Sequence, residues 1–496
     1  MSRSLYARLA RRHGAGHTLD RRRFLQATLA ASASAWLTAC RSSRARPGDG
    51  ARPRVVIVGA GLAGLACALD LVESGCDVVV LEARARPGGR TRTLHDFAPG
   101  ARIEAGGEFI GTNHPRWLAL AQRFDLPLRE SESEEELEAP IVLGGERLSM
   151  AQGEQLFHEM SAALALIDRA AAPVEADEPW RSANAHELDR TSVAATIASF
   201  RLSERCERAL CVQFTADNGV PVERMSSLAL LAMVKGGGLE RFWTDSEVLR
   251  CVAGNDELAA RMAHELGERV RVHSPVIAIE HGSSVRVTAA DGRVHAADHI
   301  VLAVPPTVWS KIQVEPPLSN DLAPQMGRSI KYLARVKRRY WRDAGLAPDA
   351  FTDGDVSFTW ESSDGQKSEQ AVLCAFSSAD SADRFRARAG AALHAAYVEA
   401  LEPLFPGYAR ELVDTRFADW PSEPWTLGGY SFPAPGEVTA RLPRIRAGLG
   451  RLHFAGEHTS SCFPGYMEGA LESGARVARV IRADCGAFAP ITASGR

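Results

Sequence analysis

The sequence predicts an α/β protein with a parallel sheet in its first domain and a second, mixed α+β domain that carries a helical insertion. A run of β-branched residues is followed at once by a glycine-rich turn and a helical pattern. Short β patterns return late, after a long stretch rich in Ala, Leu and Glu. The chain has 496 residues, which is too long for one core, because domains typically hold about 50–250 residues.

The composition is that of an ordinary globular protein, and it excludes several classes of partner. Hydrophobic residues make up 45% and charged residues 24%, as in soluble domains. The formal net charge of −3 does not favour nucleic acid as a partner. The nine cysteines include no Cys-x-x-Cys pair, so we expect no metal site.

The N-terminus carries the features of an export leader. An apolar stretch follows the basic residues that end at Arg23, and it is shorter than the about 20 apolar residues that span a bilayer. The run Arg21-Arg22-Arg23-Phe24-Leu25 resembles the twin-arginine motif, which implies the machinery that exports folded proteins as a partner. Leu37-Thr38-Ala39-Cys40 resembles a lipobox, in which Cys40 would be lipidated. The alternative is a disordered basic leader with a chance cysteine.

These features predict a leader over residues 1–40 and a flexible linker over residues 41–53, which is rich in Arg, Ser, Gly and Pro. The protein is therefore expected to be exported, either to the periplasm or to a membrane that it would reach through a lipid on Cys40. No helix able to span a membrane is expected beyond the leader.

A βαβ unit opens the first domain. Val55-Val56-Ile57-Val58 is a short β-branched run typical of a buried parallel strand. The turn Gly59-Ala60-Gly61-Leu62-Ala63-Gly64 follows, then a helical pattern that ends at Gly75. A second β run ends at Glu82. This order is typical of a Rossmann-like domain.

The three glycines of the turn fit a dinucleotide site. Gly59 allows the sharp turn, Gly61 lets the backbone approach a diphosphate, and Gly64 lets the helix pack on the strand. The diphosphate would lie at the positive end of the helix, where N–H groups are unpaired. Glu82 could accept hydrogen bonds from ribose hydroxyls. A purely structural turn is the alternative.

The remaining pattern divides the chain into discontinuous domains. Residues 150–239 have helical periodicity, β patterns return over residues 270–304, and Pro305-Pro306 indicates a crossing between lobes. The predicted nucleotide-binding domain comprises residues 54–135, 248–310 and 445–486. The predicted substrate domain, with its helical lobe, comprises residues 136–247 and 311–444.

Several motifs resemble those of the flavin-containing amine oxidase family, which includes monoamine, polyamine and L-amino-acid oxidases. The run from Glu82 to Thr91, with the paired Gly88-Gly89 and Arg90, resembles the family's second FAD signature. Further matches come in the family's order along nearly the whole predicted mature chain. They are residues 104–111, 184–189, 252–258, 454–459 and 465–474.

The resemblance implies a Rossmann-like FAD-binding domain of the two-lobed, glutathione-reductase-like kind. Family members with covalent FAD carry cysteine just before the first cage tyrosine, where this chain has Gly429, so we expect non-covalent FAD. The expected cofactor-binding residues are Gly59, Gly61, Leu62, Ala63, Gly64, Glu82, Ala83, Arg84, Gly89, Arg90, Gly106, Gly107, Glu108, Phe109, Val276, Gly456, Glu457, Gly465, Tyr466 and Met467.

The same resemblance implies the catalytic residues. Lys331 aligns with the lysine that family members hold near flavin N5, and Tyr430 and Tyr466 align with the two walls of the aromatic cage, where facing π-systems would guide an amine nitrogen. Glu108 and Phe109 are expected beside the substrate. L-Amino-acid oxidases have an arginine in this segment, which binds the substrate carboxylate. This chain has Glu108 instead, and a carboxylate there would repel the carboxylate of an α-amino acid.

The predicted activity is therefore oxidation of a primary or secondary amine to an imine, with O2 reduced to hydrogen peroxide. One alternative is an L-amino-acid oxidase. Another is a desaturase or protoporphyrinogen-oxidase-like enzyme, which removes hydride from carbon and lacks the amine cage. A flavoprotein without catalytic activity is the last alternative. The oligomeric state is left open.

Overall fold

The structure is a computed structural model that describes residues 4–14, 52–131 and 136–484. The twin-arginine motif, Cys40 and residues 41–51 of the predicted linker lie outside the described residues. Within the described ranges, no helix combines the length and the apolar character needed to cross a membrane.

Within the described residues, the strands form sheets of five, four and seven strands and two two-stranded pairings. In chain order they are β1 (Arg54–Val58), β2 (Asp77–Leu81), β3 (Thr93–Leu94), β4 (Ile103–Glu104), β5 (Leu128–Glu130), β6 (Ile141–Leu143), β7 (Glu146–Arg147), β8 (Leu249–Cys251), β9 (Val270–Arg271), β10 (Val276–His281), β11 (Val285–Ala289), β12 (Val294–Ala296), β13 (His299–Leu302), β14 (Gln313–Glu315), β15 (Ser329–Val336), β16 (Phe351–Thr352), β17 (Phe358–Glu361), β18 (Ala371–Ser378), β19 (Leu412–Asp419) and β20 (Leu452–Phe454).

The helices cover the faces of these sheets and build a separate helical layer. In chain order they are α1 (Leu5–His13), α2 (Leu62–Glu73), α3 (Pro115–Arg123), α4 (Met150–Ala171), α5 (Ala185–Arg190), α6 (Val193–Ser199), α7 (Glu204–Asn218), α8 (Ser227–Gly236), α9 (Glu240–Asp245), α10 (Asp256–Leu266), α11 (Ala379–Arg386), α12 (Gly390–Leu401), α13 (Tyr408–Glu411), α14 (Glu437–Ala440), α15 (Leu442–Ala447) and α16 (Met467–Asp484).

The first lobe is built on a parallel sheet with the strand order β20-β13-β1-β2-β9. Val55 and Ile57 of β1 face helices α2 and α16, whereas Val56 and Val58 face the sheet β12-β11-β10-β14. Both faces of the central strand are therefore buried, which explains its continuous β-branched run.

The second lobe is built on a mixed sheet with the order β19-β15-β18-β17-β16-β6-β7. Strand β15 lies between β18 and β19 and pairs with both in antiparallel register. Ile330 and Tyr332 point to one core, while Leu333 points to the other. Because side chains alternate along a strand, Lys331 shares the face of Leu333.

The helical layer packs beside this sheet. Helix α4 begins at Ser149, which forms a reciprocal cap with Gln152, and it packs against α7, α8 and also α1. Helix α1 belongs to the segment predicted as the leader, yet Leu5 and Leu9 are buried in the core of the helical layer. The predicted two-lobed α/β fold with a helical insertion is confirmed, whereas the predicted domain boundaries stay a prediction.

Candidate active site

A cavity of about 310 Å³ joins the carboxyl ends of β1 and β2 to the sheet of the second lobe. Lys331, Tyr430 and Tyr466 line it together with the glycine-rich turn. Every residue predicted from the sequence to bind cofactor or substrate, or to act in catalysis, lines this cavity except Gly64. The structure thus brings together motifs that lie up to several hundred positions apart.

The nucleotide end of the cavity is formed by the start of α2. Gly61 is the residue before the helix, and no side chain caps the first helical amides. A Cβ placed on Gly61 would meet no atom within 4 Å, so this position opens into the cavity. Uncapped amides at a helix N-terminus bind anionic groups such as a diphosphate.

The other two glycines of the turn serve its geometry. Gly59 has a φ of +106°, in the region that glycine adopts most readily. A Cβ on Gly64 would lie 2.0 Å from the Gly59 carbonyl oxygen and 3.2 Å from Ile57. Gly64 therefore permits the close packing of helix on strand, which explains why it does not reach the cavity.

Glu82 directly follows β2 and lies beside this turn. Its buried carboxylate accepts hydrogen bonds from the Ala60 amide at 2.8 Å and the Arg84 amide at 2.9 Å. These contacts fix the carboxylate at the rim of the cavity, where the expected ribose would lie. Its ribose contact stays a prediction.

Arg90 and Glu457 join three segments at the middle of the cavity. Arg90 donates to Glu457 at 2.7 Å and to the Gly429 carbonyl at 2.8 Å. Glu457 also accepts from the Ser431 hydroxyl at 2.6 Å and the Gly465 amide at 2.7 Å. Burial by itself would raise the pKa of Glu457, but Arg90, then the nearby His458 and the Ser431 hydroxyl, hold it below its usual value. The carboxylate is thus ionised and holds the loops in place.

These residues fit FAD. The uncapped helix start, the open position at Gly61 and the fixed Glu82 suit the diphosphate and ribose of a dinucleotide. No cysteine lines the cavity among the described residues. Gly429 precedes Tyr430, and Cys462 lies against Gly236 and Asp177 instead. The cavity therefore offers no thiol for a covalent bond to a flavin.

Lys331 lines the cavity, and its ammonium is buried among three acceptors. Its ammonium donates to Glu108 at 2.6 Å, to the Gly106 carbonyl at 2.9 Å and to the Glu104 carbonyl at 3.1 Å. It also lies 5.4 Å from the ring centre of Trp360, within the range of a cation–π contact. These contacts fix the ammonium beside the glycine-rich segment.

Glu108 is shared between two cations. Besides Lys331, it pairs with Arg250 at 2.9 Å and accepts from the Trp360 indole at 2.9 Å. The side chain of Glu108 is only 2% exposed. Arg250 also pairs with Asp364 and lies 5.0 Å from the Phe109 ring centre. The negative charge of Glu108 is therefore balanced inside the protein.

The tyrosine pair, Tyr430 and Tyr466, lines the cavity beside the segment that begins at Gly465. Tyr430 donates to the Ala216 carbonyl at 3.1 Å, and the Tyr466 ring packs edge-on against His114 and Phe463. Burial raises the pKa of both phenols, and the carboxylates of Asp217 and Glu247 raise them further. Both tyrosines are neutral at physiological pH.

Asp217 and Glu247, here called the acidic pair, were missed by the sequence analysis, as were Arg250 and Trp360. Both members of the acidic pair line the cavity near the tyrosine pair. Asp217 accepts from Gln213 at 2.6 Å, and burial raises its pKa. No motif indicates these residues, because Asp217 ends an ordinary helix and Glu247 lies in the turn after α9.

Comparisons with known proteins agree with this geometry. The family model described as flavin containing amine oxidoreductase matches residues 62–482. The chain is 28% identical over 459 residues to human flavin-containing amine oxidase B, covering 86% of this chain and 85% of that protein. It is 27% identical over 459 residues to the flavin-containing amine oxidase of Danio rerio, with the same coverage.

Solved structures give the same picture. Cyclohexylamine oxidase from Brevibacterium oxydans superposes with a TM-score of 0.78 at 28% identity, covering 88% of this chain and 100% of that one. Wild-type putrescine oxidase, solved with putrescine bound, also has a TM-score of 0.78, at 27% identity, covering 87% of this chain and 99% of that one.

Proposed function

The chain belongs to the flavin-containing amine oxidoreductase family, and we propose that it oxidises a primary or secondary amine to an imine and reduces O2 to hydrogen peroxide. It is a flavin-dependent oxidoreductase of CH–NH donors with FAD as its cofactor. When bound, FAD supplies the acceptor for the two electrons and the hydrogen that leave the α-carbon. The imine would then hydrolyse to an aldehyde or ketone.

The single observation that carries the proposal is the continuity of the cavity. The uncapped start of α2, Lys331 and the tyrosine pair all line this one cavity. A dinucleotide with its diphosphate at α2 would therefore extend its ring system toward the tyrosine pair. The substrate would be held where the cofactor's reactive end meets the tyrosines.

Three properties of the residues support amine oxidation. The apolar part of the cavity wall would lower the pKa of an amine buried against it, because burial disfavours the charged form. The neutral aromatic faces of Tyr430 and Tyr466 would orient the nitrogen. The fixed ammonium of Lys331 would stabilise negative charge that develops beside it.

The charges near the tyrosine pair favour an amine over an α-amino acid. Asp217 and Glu247 place an acidic pair at this end of the cavity. Burial and the neighbouring Glu247 raise the pKa of Asp217, so Asp217 holds its proton more tightly than an ordinary carboxyl, and the negative charge that the pair keeps attracts a cationic amine and repels a second carboxylate. The charge of Glu108, in contrast, is balanced by Lys331 and Arg250. An L-amino-acid oxidase therefore stays the second candidate, because Glu108 presents no unbalanced charge to a substrate carboxylate.

A substrate panel tests the proposal. Purified yellow protein would be given benzylamine, cyclohexylamine, putrescine and a set of L-amino acids, with peroxide formation and anaerobic bleaching of the flavin as the two measurements. We expect peroxide from one or more of the amines. Bleaching by α-amino acids alone would reject the proposed substrate class, and bleaching by none of a broad panel would reject the proposed reaction.

We also propose that the protein is exported as a folded protein and anchored through Cys40. The support is the twin-arginine-like run and the lipobox-like run that precedes Cys40. Expression in a bacterial host, followed by fractionation and mass spectrometry of the N-terminus, tests this. We expect a lipid-modified Cys40 in the membrane fraction and loss of that fraction for Cys40→Ala. An unprocessed chain in the cytoplasm would contradict it.

A further inference from the structure

Helix α1 packs on the helical layer and the second lobe, although it lies upstream of the predicted cleavage site. Its first turn is capped by the Ser4 side chain, which accepts from the Ala7 amide. Leu5 and Leu9, four residues apart, are buried on one face, and Ala7 is buried as well. The Leu5 amide donates to the side chain of Gln213 in α7 at 2.7 Å. The helix is therefore held by both apolar burial and a directed hydrogen bond.

Contacts along α1 reach both the helical layer and the second lobe. Tyr6 stacks on Phe157 of α4, with ring centres 5.9 Å apart. Arg8 donates to the Ala350 carbonyl at 3.3 Å and lies 6.0 Å from the Phe358 ring centre. Because Phe358 itself lines the main cavity, α1 packs directly behind the substrate end of the site.

The N-terminal end of α1 forms part of the cavity wall. Ser4 lines the main cavity together with Asp217, Glu247 and Tyr466. A second space of about 30 Å³ lies directly beside it, and the same four residues line that space as well, together with Tyr6. Ser4 and Tyr6 thus border the space between the tyrosine pair and the helical layer.

We propose that α1 is a removable end wall of the substrate cavity, which limits the length of the amine that the site accepts. The proposal rests on the amine oxidase activity proposed above. With α1 docked, an amine whose nitrogen lies at the tyrosine pair meets Ser4 at its far end. Without α1, the two spaces would join along the apolar groove that Leu5 and Leu9 occupy.

Because α1 belongs to the predicted leader, processing of the leader would change the substrate cavity. Cleavage before Cys40 would remove α1, so processing would enlarge the substrate site. A protein exported in the folded state carries its leader while it folds and binds its cofactor. The precursor would therefore oxidise long amines poorly, and the processed enzyme would oxidise them well.

The test compares four forms of the purified, FAD-loaded protein. They are the full chain, the chain without residues 1–14, Leu9→Asp, which puts a charge on the buried face of α1, and Arg12→Asp, which changes the charge of an exposed side chain near the end of α1 that donates to the Leu137 carbonyl. The measurement is kcat/KM for linear alkylamines of increasing length. The FAD content of each form serves as the control for folding.

We expect the deletion and Leu9→Asp to raise kcat/KM for long amines relative to short ones by about tenfold or more, a difference of about 1.4 kcal/mol in transition-state stabilisation. Arg12→Asp should keep the profile of the full chain. An unchanged ratio of long to short amines in the deletion would overturn the proposal. Loss of FAD from both the deletion and Leu9→Asp would also overturn the proposal, because α1 would then be required for folding rather than limit the length of the substrate.

Failure of the proposed activity would be recognised separately. If no form oxidised even the shortest amine, the proposed function would fail. The role of α1 would then be decided by titrating each form with dodecylamine and recording the change in flavin absorption, which reports binding without turnover. Binding at least tenfold tighter in the deletion supports the wall, and equal binding in all four forms overturns it.

Discussion

At the residue scale, the partners of a buried charge decide what the charge does. Glu108 was expected beside the substrate, where its carboxylate would repel an α-amino acid. The structure pairs it with both Lys331 and Arg250. A buried carboxylate is retained only when cations and hydrogen-bond donors compensate for its lost hydration. Glu108 therefore anchors Lys331, and its role as a substrate contact stays a prediction.

Replacement of Lys331 by methionine should separate catalysis from folding. Glu108 would keep Arg250 and Trp360 as partners, so FAD should stay bound. Loss of a fixed cation near developing charge commonly lowers kcat by about 10²–10³-fold. Stopped-flow measurement of flavin reduction and reoxidation would locate the slowed step. Lys331→Arg is the matched control that keeps a cation. Kinetics within about twofold of the parent would reject the catalytic role of Lys331.

Titration of Glu104 should make the free energy of unfolding depend on pH. Burial, and then the nearby Glu108 carboxylate, raise the pKa of Glu104 to about 8. In the unfolded chain the group titrates near its usual value of 4.5. The folded state thus retains a proton that the unfolded state releases. The stabilisation from this group is fully present below about pH 4.5 and is lost as the pH rises through about 8.

Urea unfolding at about pH 5.5 and about pH 8.5 measures this effect. The parent should lose stability between the two values, and Glu104→Gln, which cannot titrate, should lose less. The variant keeps an acceptor oxygen for the Asn255 amide, which contacts one carboxylate oxygen at 2.8 Å. Its NH2 group can donate to the Thr93 hydroxyl, which contacts the other oxygen at 3.0 Å. An equal loss in both proteins would assign the pH dependence to other groups.

At the element scale, the glycine-rich turn combines two different requirements. Gly61 faces open space at the start of α2, whereas Gly64 lies against the carbonyl oxygen of Gly59. The first glycine leaves room for a ligand, and the second leaves room for the protein's own backbone. The glycine spacing of the turn thus reflects ligand binding at Gly61 and helix packing at Gly64.

Two valine substitutions should separate these requirements. Gly61→Val should fold normally, because Gly61 has a φ of −74° and its Cβ position is open, but its side chain would occupy the place of the diphosphate. Gly64→Val should destabilise the domain, at the upper end of the about 1–3 kcal/mol that overpacking costs. Thermal unfolding and the ratio of flavin to protein measure both effects. Full FAD occupancy in Gly61→Val would contradict the diphosphate site.

At the scale of the whole molecule, the site exists only where segments from both lobes meet. Arg90 of the first lobe, Gly429 of the second and Glu457 near the end of the chain form one hydrogen-bonded group. The cavity that passes this group has no cysteine in its wall among the described residues. Retention of FAD therefore depends on the folded arrangement of the lobes.

Denaturation should release the flavin completely. Acid or heat precipitation of the yellow protein, followed by filtration, would leave the flavin absorbance in the filtrate and a colourless pellet. The reason is that Gly429 precedes Tyr430 and offers no thiol. A yellow pellet, with a flavin-labelled peptide in its digest, would show a covalent bond and contradict the prediction.

The sequence by itself determined the βαβ unit, the dinucleotide turn and the order of the cofactor segments. These features are local: the β-branched run before Gly59 and the glycine spacing follow directly from the backbone geometry they permit. The resemblance to a family with these motifs supplied Lys331, Tyr430 and Tyr466. The structure then placed all three in one cavity.

Only the tertiary structure decided which side chains meet across the lobes. Arg250 and Trp360 reach Glu108 from elements more than a hundred residues away in the chain. Asp217 reaches the tyrosine pair from the end of a helix, and α1 docks behind it from the predicted leader. Local periodicity fixes which face of an element is apolar, but the packing of distant elements fixes what each polar side chain touches.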